Sequence, residues 1–110
     1  LNIWKLSINL AVNVYEETEN FPKSEEFGLK SQLRRCAVSV PSNTAEGSSR
    51  TSNKDFNRFL EYSQGSLYEM QTQIIISTKR KFIPEESSEN IENQITELQK
   101  MVSGFQKTLQ

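Results

Sequence analysis

The chain has 110 residues, 35% of them hydrophobic and 25% charged, with 4 Gly, 3 Pro, one Cys, no His and a formal net charge of -1. That length suits one domain with a real core, and the scarcity of turn residues favours long amphipathic helices over a β-rich fold. The missing imidazole removes the commonest general base, every Ser-His or Cys-His nucleophile pair and the Glu-x-x-His di-iron sites of helical bundles.

The first helix is read from Ile3 to about Tyr15, where Trp4, Ile8, Ala11 and Tyr15 recur three or four apart and Ile3, Leu6, Leu10 and Val14 widen the stripe. Phe21-Pro22-Lys23 breaks that pattern. The second helix is expected to begin near Ser24, a suitable cap, with Glu25 and Glu26 in its first turn. Its apolar face runs through Leu29, Leu33, Cys36, Ala37, Val40 and Thr44. Pro41 lies inside this run, and with no other turn signal before Gly47-Ser48-Ser49 the expectation is a helix kinked at Pro41 that ends with Gly47 as its C-cap.

Ser52-Asn53-Lys54-Asp55 reads as a capping box that opens a third helix, carried by Phe56, Phe59, Leu60, Ser63, Leu67, Met70 and Ile74 to about Arg80. After Pro84 and an expected turn at Ser87-Ser88, Ile91, Ile95, Leu98, Val102, Phe105 and Leu109 keep an unbroken four-three spacing. Four periodic segments with short connectors imply an all-α, antiparallel up-down-up-down four-helix bundle occupying residues 1–110 as one domain.

The longest apolar run is Ile74-Ile75-Ile76, far short of the roughly 18 residues of a membrane span, and no basic leader opens the chain. A cytoplasmic protein without membrane contact is expected. Cys36, flanked at helical spacing by Leu33, Ala37 and Val40, reads as a small core residue rather than a reactive thiol. Neither a metal nor any other cofactor is expected.

Charge is unevenly spread. From Lys30 to Phe82 the cations Lys30, Arg34, Arg35, Arg50, Lys54, Arg58, Lys79, Arg80 and Lys81 face only Glu46, Asp55, Glu61 and Glu69, whereas the chain from Ile83 onward is net acidic. Lys30 and Arg34 are one helical turn apart, as are Lys54 and Arg58, with Arg50 between the two helices. Together with Arg35 these six form a candidate surface for RNA or DNA, bound through phosphates and without sequence specificity. A solvated face with local ion pairs, such as Arg58 with Glu61, is the plainer alternative. Ser39, Asn43 and Glu46 share one helix face and read as a structural polar network facing helix three, not as catalytic acids.

The run Ser31-Gln32-Leu33-Arg34-Arg35-Cys36-Ala37-Val38-Ser39-Val40-Pro41-Ser42-Asn43-Thr44-Ala45-Glu46-Gly47 resembles the signature of the four-helix-bundle proteins encoded in 23S rRNA intervening sequences of bacteria. Ile3-Trp4-Lys5, Phe21-Pro22, Phe56-Asn57-Arg58-Phe59-Leu60 and Gly65-Ser66-Leu67-Tyr68-Glu69-Met70-Gln71-Thr72-Gln73 extend the likeness along the whole chain. The family pattern usually has Ala at Cys36, Ile at Thr44 and a Gly near Lys81. The resemblance implies a bundle that accommodates Pro41 and a homopentameric ring. The accessory variability proteins of diversity-generating retroelements are similar in bundle and pentamer, bind nucleic acid through basic surfaces, and are more basic than this chain. Two functional expectations follow: a non-catalytic oligomer that binds structured RNA or DNA, or a scaffold that binds itself or another protein, with Val38, Ile75 and Ile76 as its surplus apolar residues.

Overall fold

A computed structural model describes residues 1–110. Four helices, α1 (Asn2–Thr18), α2 (Leu29–Ser48), α3 (Asn53–Lys79) and α4 (Glu85–Thr108), form an up-down bundle with no strands, 43 × 24 × 19 Å in extent. Each helix packs against its two neighbours in the order α1-α2-α3-α4, closing the bundle around one core. Leu10, Val14, Leu33, Val40, Leu60, Leu67, Met70, Ile74, Ile91, Ile95, Leu98 and Val102 are all within one per cent of complete burial. The four-three seam of α4 is buried as its spacing predicts, with Phe105 and Leu109 partly buried at its lower end.

The buried stripe of α1 differs from the expected one. It runs through Ile3, Ser7, Leu10, Val14 and Thr18, which leaves Trp4 and Tyr15 on the surface. Ser7 and Thr18 can occupy the core because their hydroxyls donate to the carbonyls of Trp4 (2.8 Å) and Val14 (2.8 Å) one turn back, so neither hydroxyl is left unpaired. A reading that counts only apolar residues rotates the stripe towards Trp4.

The start of α2 also needs correcting. Pro22 opens a single 3₁₀ turn, Lys23–Glu25, and the α-helix begins only at Leu29. Glu25, not Ser24, supplies the cap: its Oε1 accepts from the Leu29 amide at 3.0 Å. A Cβ on Gly28 would lie 2.6 Å from that same oxygen, so the cap and the glycine go together. At its other end α2 runs unbroken through Pro41 to Ser48, with Pro41 itself buried. Gly47 is therefore inside the helix rather than capping it. It is buried because α3 passes so close that an added Cβ would sit 2.8 Å from Phe59 Cβ.

Ser52 caps α3 as its sequence predicts, accepting from the Asp55 amide at 3.1 Å. The C-terminus of α3 is closed by two paired bonds, Phe82 N–H to the Ser77 carbonyl at 2.8 Å and Lys81 N–H to the Thr78 carbonyl at 2.9 Å. This is the Schellman arrangement, which places the residue after the cap in the left-handed region. That residue is Lys81, with φ 66°. A side chain there costs about 1–2 kcal/mol relative to glycine. Lys81→Gly is expected to raise stability by about 1 kcal/mol, read as a higher urea midpoint at unchanged slope; a lower midpoint would show that the left-handed residue is not strained.

Pro84 then starts α4 directly, so Ser87 and Ser88 lie in its first turn and do not form a separate turn. Ser88 is buried and accepts from Thr78 Oγ1 at 2.6 Å, which ties α4 to the end of α3. No helix is long and apolar enough to cross a membrane.

Candidate functional site

The six cations singled out in the sequence do not form one patch. The 20 residues of α2 rise about 30 Å, which separates Lys30, Arg34 and Arg35 at one end from Arg50, Lys54 and Arg58 at the other. Four of the six have carboxylate partners: Lys30 with Glu26 (3.2 Å), Arg34 with Glu19 (3.2 Å), Arg50 with Glu46 (2.9 Å) and Arg58 with Asp55 (3.6 Å). The Arg58 partner is thus Asp55, one turn back on α3; Glu61 instead accepts from Asn57 at 3.3 Å. Arg35 and Lys54 are exposed and make no ion pair.

Arg34 is largely committed to the fold. Its Nε donates to Thr18 Oγ1 at 2.9 Å and its Nη2 to the Tyr15 carbonyl at 3.1 Å, while the guanidinium lies 4.5 Å from the Tyr15 ring centroid. One side chain from α2 therefore closes the acidic C-terminus of α1, where free carbonyls favour a cation. At the far end Arg50 and Arg58 both pack on Phe59, 4.8 and 5.1 Å from its centroid.

Of the residues read as a polar network, Ser39 and Asn43 are brought together and Glu46 is not. Ser39 Oγ meets Ser66 Oγ across the α2–α3 contact, and Asn43 Nδ2 donates to the Ser39 carbonyl at 2.9 Å. Glu46 points outward to Arg50. The α2–α3 seam continues through Cys36, whose thiol donates to Glu69 Oε2 at 3.1 Å. Burial, and then the Glu69 carboxylate, push this thiol from 9.0 up to about 12, so at neutral pH it is a protonated core residue and not a nucleophile.

Exposed large apolar side chains cluster on two faces, on opposite sides of the bundle. On one, Trp4 and Leu1 border a shallow hollow of about 230 Å³ with Thr44, Ala45 and Ser48. With Trp4 beside Ala45 and Tyr15 beside Arg34, the antiparallel register sets Ile8 opposite Pro41 and Ala11 opposite Val38. Leu1, Trp4 and Val38 are 51%, 40% and 44% exposed along this α1–α2 face. On the α3–α4 side, Tyr68 lies over a hollow whose lining residues are mostly polar, with Thr96, Gln99, Lys100, Ser103, Gly104 and Lys107, and Ile75 follows it two helical turns later.

One further feature escaped the sequence reading. Phe27 projects from the turn before α2 and is 94% exposed, forgoing the roughly 2 kcal/mol that burial of such a ring contributes. It borders a hollow of about 370 Å³ with Tyr15, Glu26, Lys30, Ser31, Arg34 and Arg35. The signal available in the sequence was an aromatic between Glu26 and Gly28, outside either helix stripe.

The same fold is found in the crystal structure of a protein of unknown function from the S23 ribosomal protein family of Bacteroides thetaiotaomicron VPI-5482. The TM-score is 0.86, with 24% identity over 96% of this chain and 98% of that one. No curated protein matched the chain. The family model described as 23S rRNA-intervening sequence protein matches residues 1–104. The chain belongs to that family. The three positions at which the resemblance led to another residue being expected, Cys36, Thr44 and Lys81, are each accommodated locally. Thr44 is fully buried with its hydroxyl 2.8 Å from the Val40 carbonyl, where Ser63 Oγ also donates at 3.0 Å. Cys36 uses Glu69, and Lys81 takes the left-handed position that a glycine would fill more cheaply.

Proposed function

We propose that this member of the family is a non-catalytic module that joins copies of itself into a closed ring and, as a ring, holds structured RNA or DNA through repeated basic groups. The observation that carries the proposal is the pair of unlike faces on opposite sides of one bundle, the apolar Leu1-Trp4-Val38 and the mixed Tyr68-Ile75 face with Lys100 and Lys107 beside it. Two unlike faces suit head-to-tail contacts, which close into rings, whereas a twofold dimer needs one face that matches itself. Five copies is the number that the family resemblance implies.

Assembly also answers the weakness of the basic surface. With four of the six candidate cations paired, a lone bundle leaves only Arg35 and Lys54 of that set free, and exposed pairs of this kind contribute only about 0–1 kcal/mol each. Repeating Arg35 and Lys54 around a ring multiplies weak phosphate contacts through effective concentration. The same ion pairing favours a second reading, a self-assembling or protein-binding scaffold with no nucleic-acid affinity.

Light scattering on a size-exclusion column, with and without a structured ribosomal RNA fragment at low and moderate salt, separates these readings. The expected result is an oligomer that Trp4→Ala with Val38→Ala breaks to monomers, and that shifts with RNA at low salt only. A wild-type monomer would refute the ring. An oligomer indifferent to RNA would leave the scaffold reading.

A further inference from the structure

We infer that the hollow under Phe27 is a stacking site for a single unpaired nucleotide of an RNA or DNA ligand. The inference rests on the nucleic-acid part of the function proposed above and gives it a place and a substrate class.

The construction of the turn puts Phe27 outside. Glu25 caps Leu29, Gly28 fits against that carboxylate, and the intervening chain has no route back to the core, so the ring is 94% exposed. Tyr15, 42% exposed, lines the same hollow with one face already covered by the Arg34 guanidinium 4.5 Å from its centroid, so Phe27 is the ring left free to stack. Around the two rings stand Lys30, Arg34 and Arg35 and the hydroxyl of Ser31, with Glu26 as the only carboxylate lining the hollow and Glu19 just outside on Arg34.

The chemistry of this lining selects its occupant. A surface made for another protein is depleted of charge at its centre, whereas here charged side chains make up most of the lining. Aromatic faces interleaved with cations are the arrangement that takes a base by stacking and its phosphate by charge. Arg35, exposed and without an ion pair, is the group free to meet the phosphate; Lys30 and Arg34 are already held by Glu26 and Glu19. A fully paired duplex keeps its bases stacked internally and cannot use the site, so the ligand is a bulged, looped or single-stranded nucleotide.

Phe27 touches no core residue that its loss would unsettle, so substitution there reads binding and not folding. The probe is a labelled RNA duplex carrying one unpaired adenosine, compared by fluorescence anisotropy with the same duplex fully paired. Wild type is expected to prefer the bulged duplex, Phe27→Ala to lose about tenfold on it, and Phe27→Trp to restore the affinity, with the paired duplex unaffected by either change. Equal binding of both duplexes, or a Phe27→Ala protein that binds the bulge as wild type does, overturns the site while leaving the nucleic-acid reading intact. Binding of neither duplex overturns both. Light scattering on the same variants closes the other route: a change in oligomer mass on Phe27→Ala, with RNA affinity unchanged, assigns the ring to a subunit contact and overturns the inference.

Discussion

Gly47→Ala is expected to destabilise the bundle by up to about 2 kcal/mol, although alanine is the better helix former. The new methyl would lie 2.8 Å from Phe59 Cβ, 3.0 Å from Phe56 Cδ1 and 3.3 Å from the Phe56 carbonyl oxygen. Phe59 Cβ is the fixed base of its side chain and cannot rotate aside, so α2 and α3 must separate. Overpacking of this kind costs about 1–3 kcal/mol, against a gain of about 1 kcal/mol from helix propensity. Gly65 and Gly104 provide the controls, because an added Cβ at either meets nothing within 4 Å. Gly65→Ala and Gly104→Ala should each gain up to about 1 kcal/mol. The comparison is made by urea unfolding at matched slopes. If Gly47→Ala is as stable as Gly65→Ala, the close approach of α2 and α3 is not a constraint on the fold.

The same glycine marks where sequence reasoning reached its limit. Helix number, order and antiparallel topology follow from apolar spacing and from breaks at Pro22, near Gly47-Ser49 and at Pro84; number, order and topology hold in the structure, while the second break falls after Ser48, beyond Gly47. Periodicity also carries α2 through Pro41. What spacing alone does not hold is the exact side of a helix that faces inward when hydroxyls share the seam. Ser7 and Thr18 take core positions by bonding to their own backbone, and Trp4 and Tyr15, the larger and more apolar residues, are left outside. Nor does the linear pattern separate a glycine that ends a helix from one that lets another helix approach, since both stand where the apolar run stops.

The candidate site was legible in its charges and not in their partners. Lys30 and Arg34 do lie one turn apart, but Glu19 and Glu26 come to them from segments before α2, and Arg50 and Arg58 find Glu46 and Asp55 within one or two turns. Counting cations along the chain therefore overstated the free positive surface. Phe27 was passed over for the converse reason, since an aromatic in a turn has no periodic neighbours to draw attention to it.

Arg34 separates a binding role from a structural one most sharply. Arg34→Ala is expected to cost about 2 kcal/mol of stability, because it removes charge-assisted bonds to Thr18 and Tyr15 and the Glu19 ion pair in one change, at a side chain only 23% exposed. Thr18 Oγ1 keeps its bond to the Val14 carbonyl, so the loss falls on the end of α1 and not on an orphaned core hydroxyl. Arg34→Lys should recover less than half of that loss, since an ammonium has no planar fork to reach Thr18 and the Tyr15 carbonyl together while stacking on the ring. Arg35→Ala, with no ion pair to break, should leave stability within about 0.5 kcal/mol of wild type. Hydrogen exchange at the last turn of α1 makes the test local: faster exchange from Val14 to Thr18 in Arg34→Ala, and not in Arg35→Ala, is the expected result. Unchanged exchange and stability in Arg34→Ala would instead free this arginine for phosphate, and the two ends of α2 would then differ only in how many of their cations are available to a ligand.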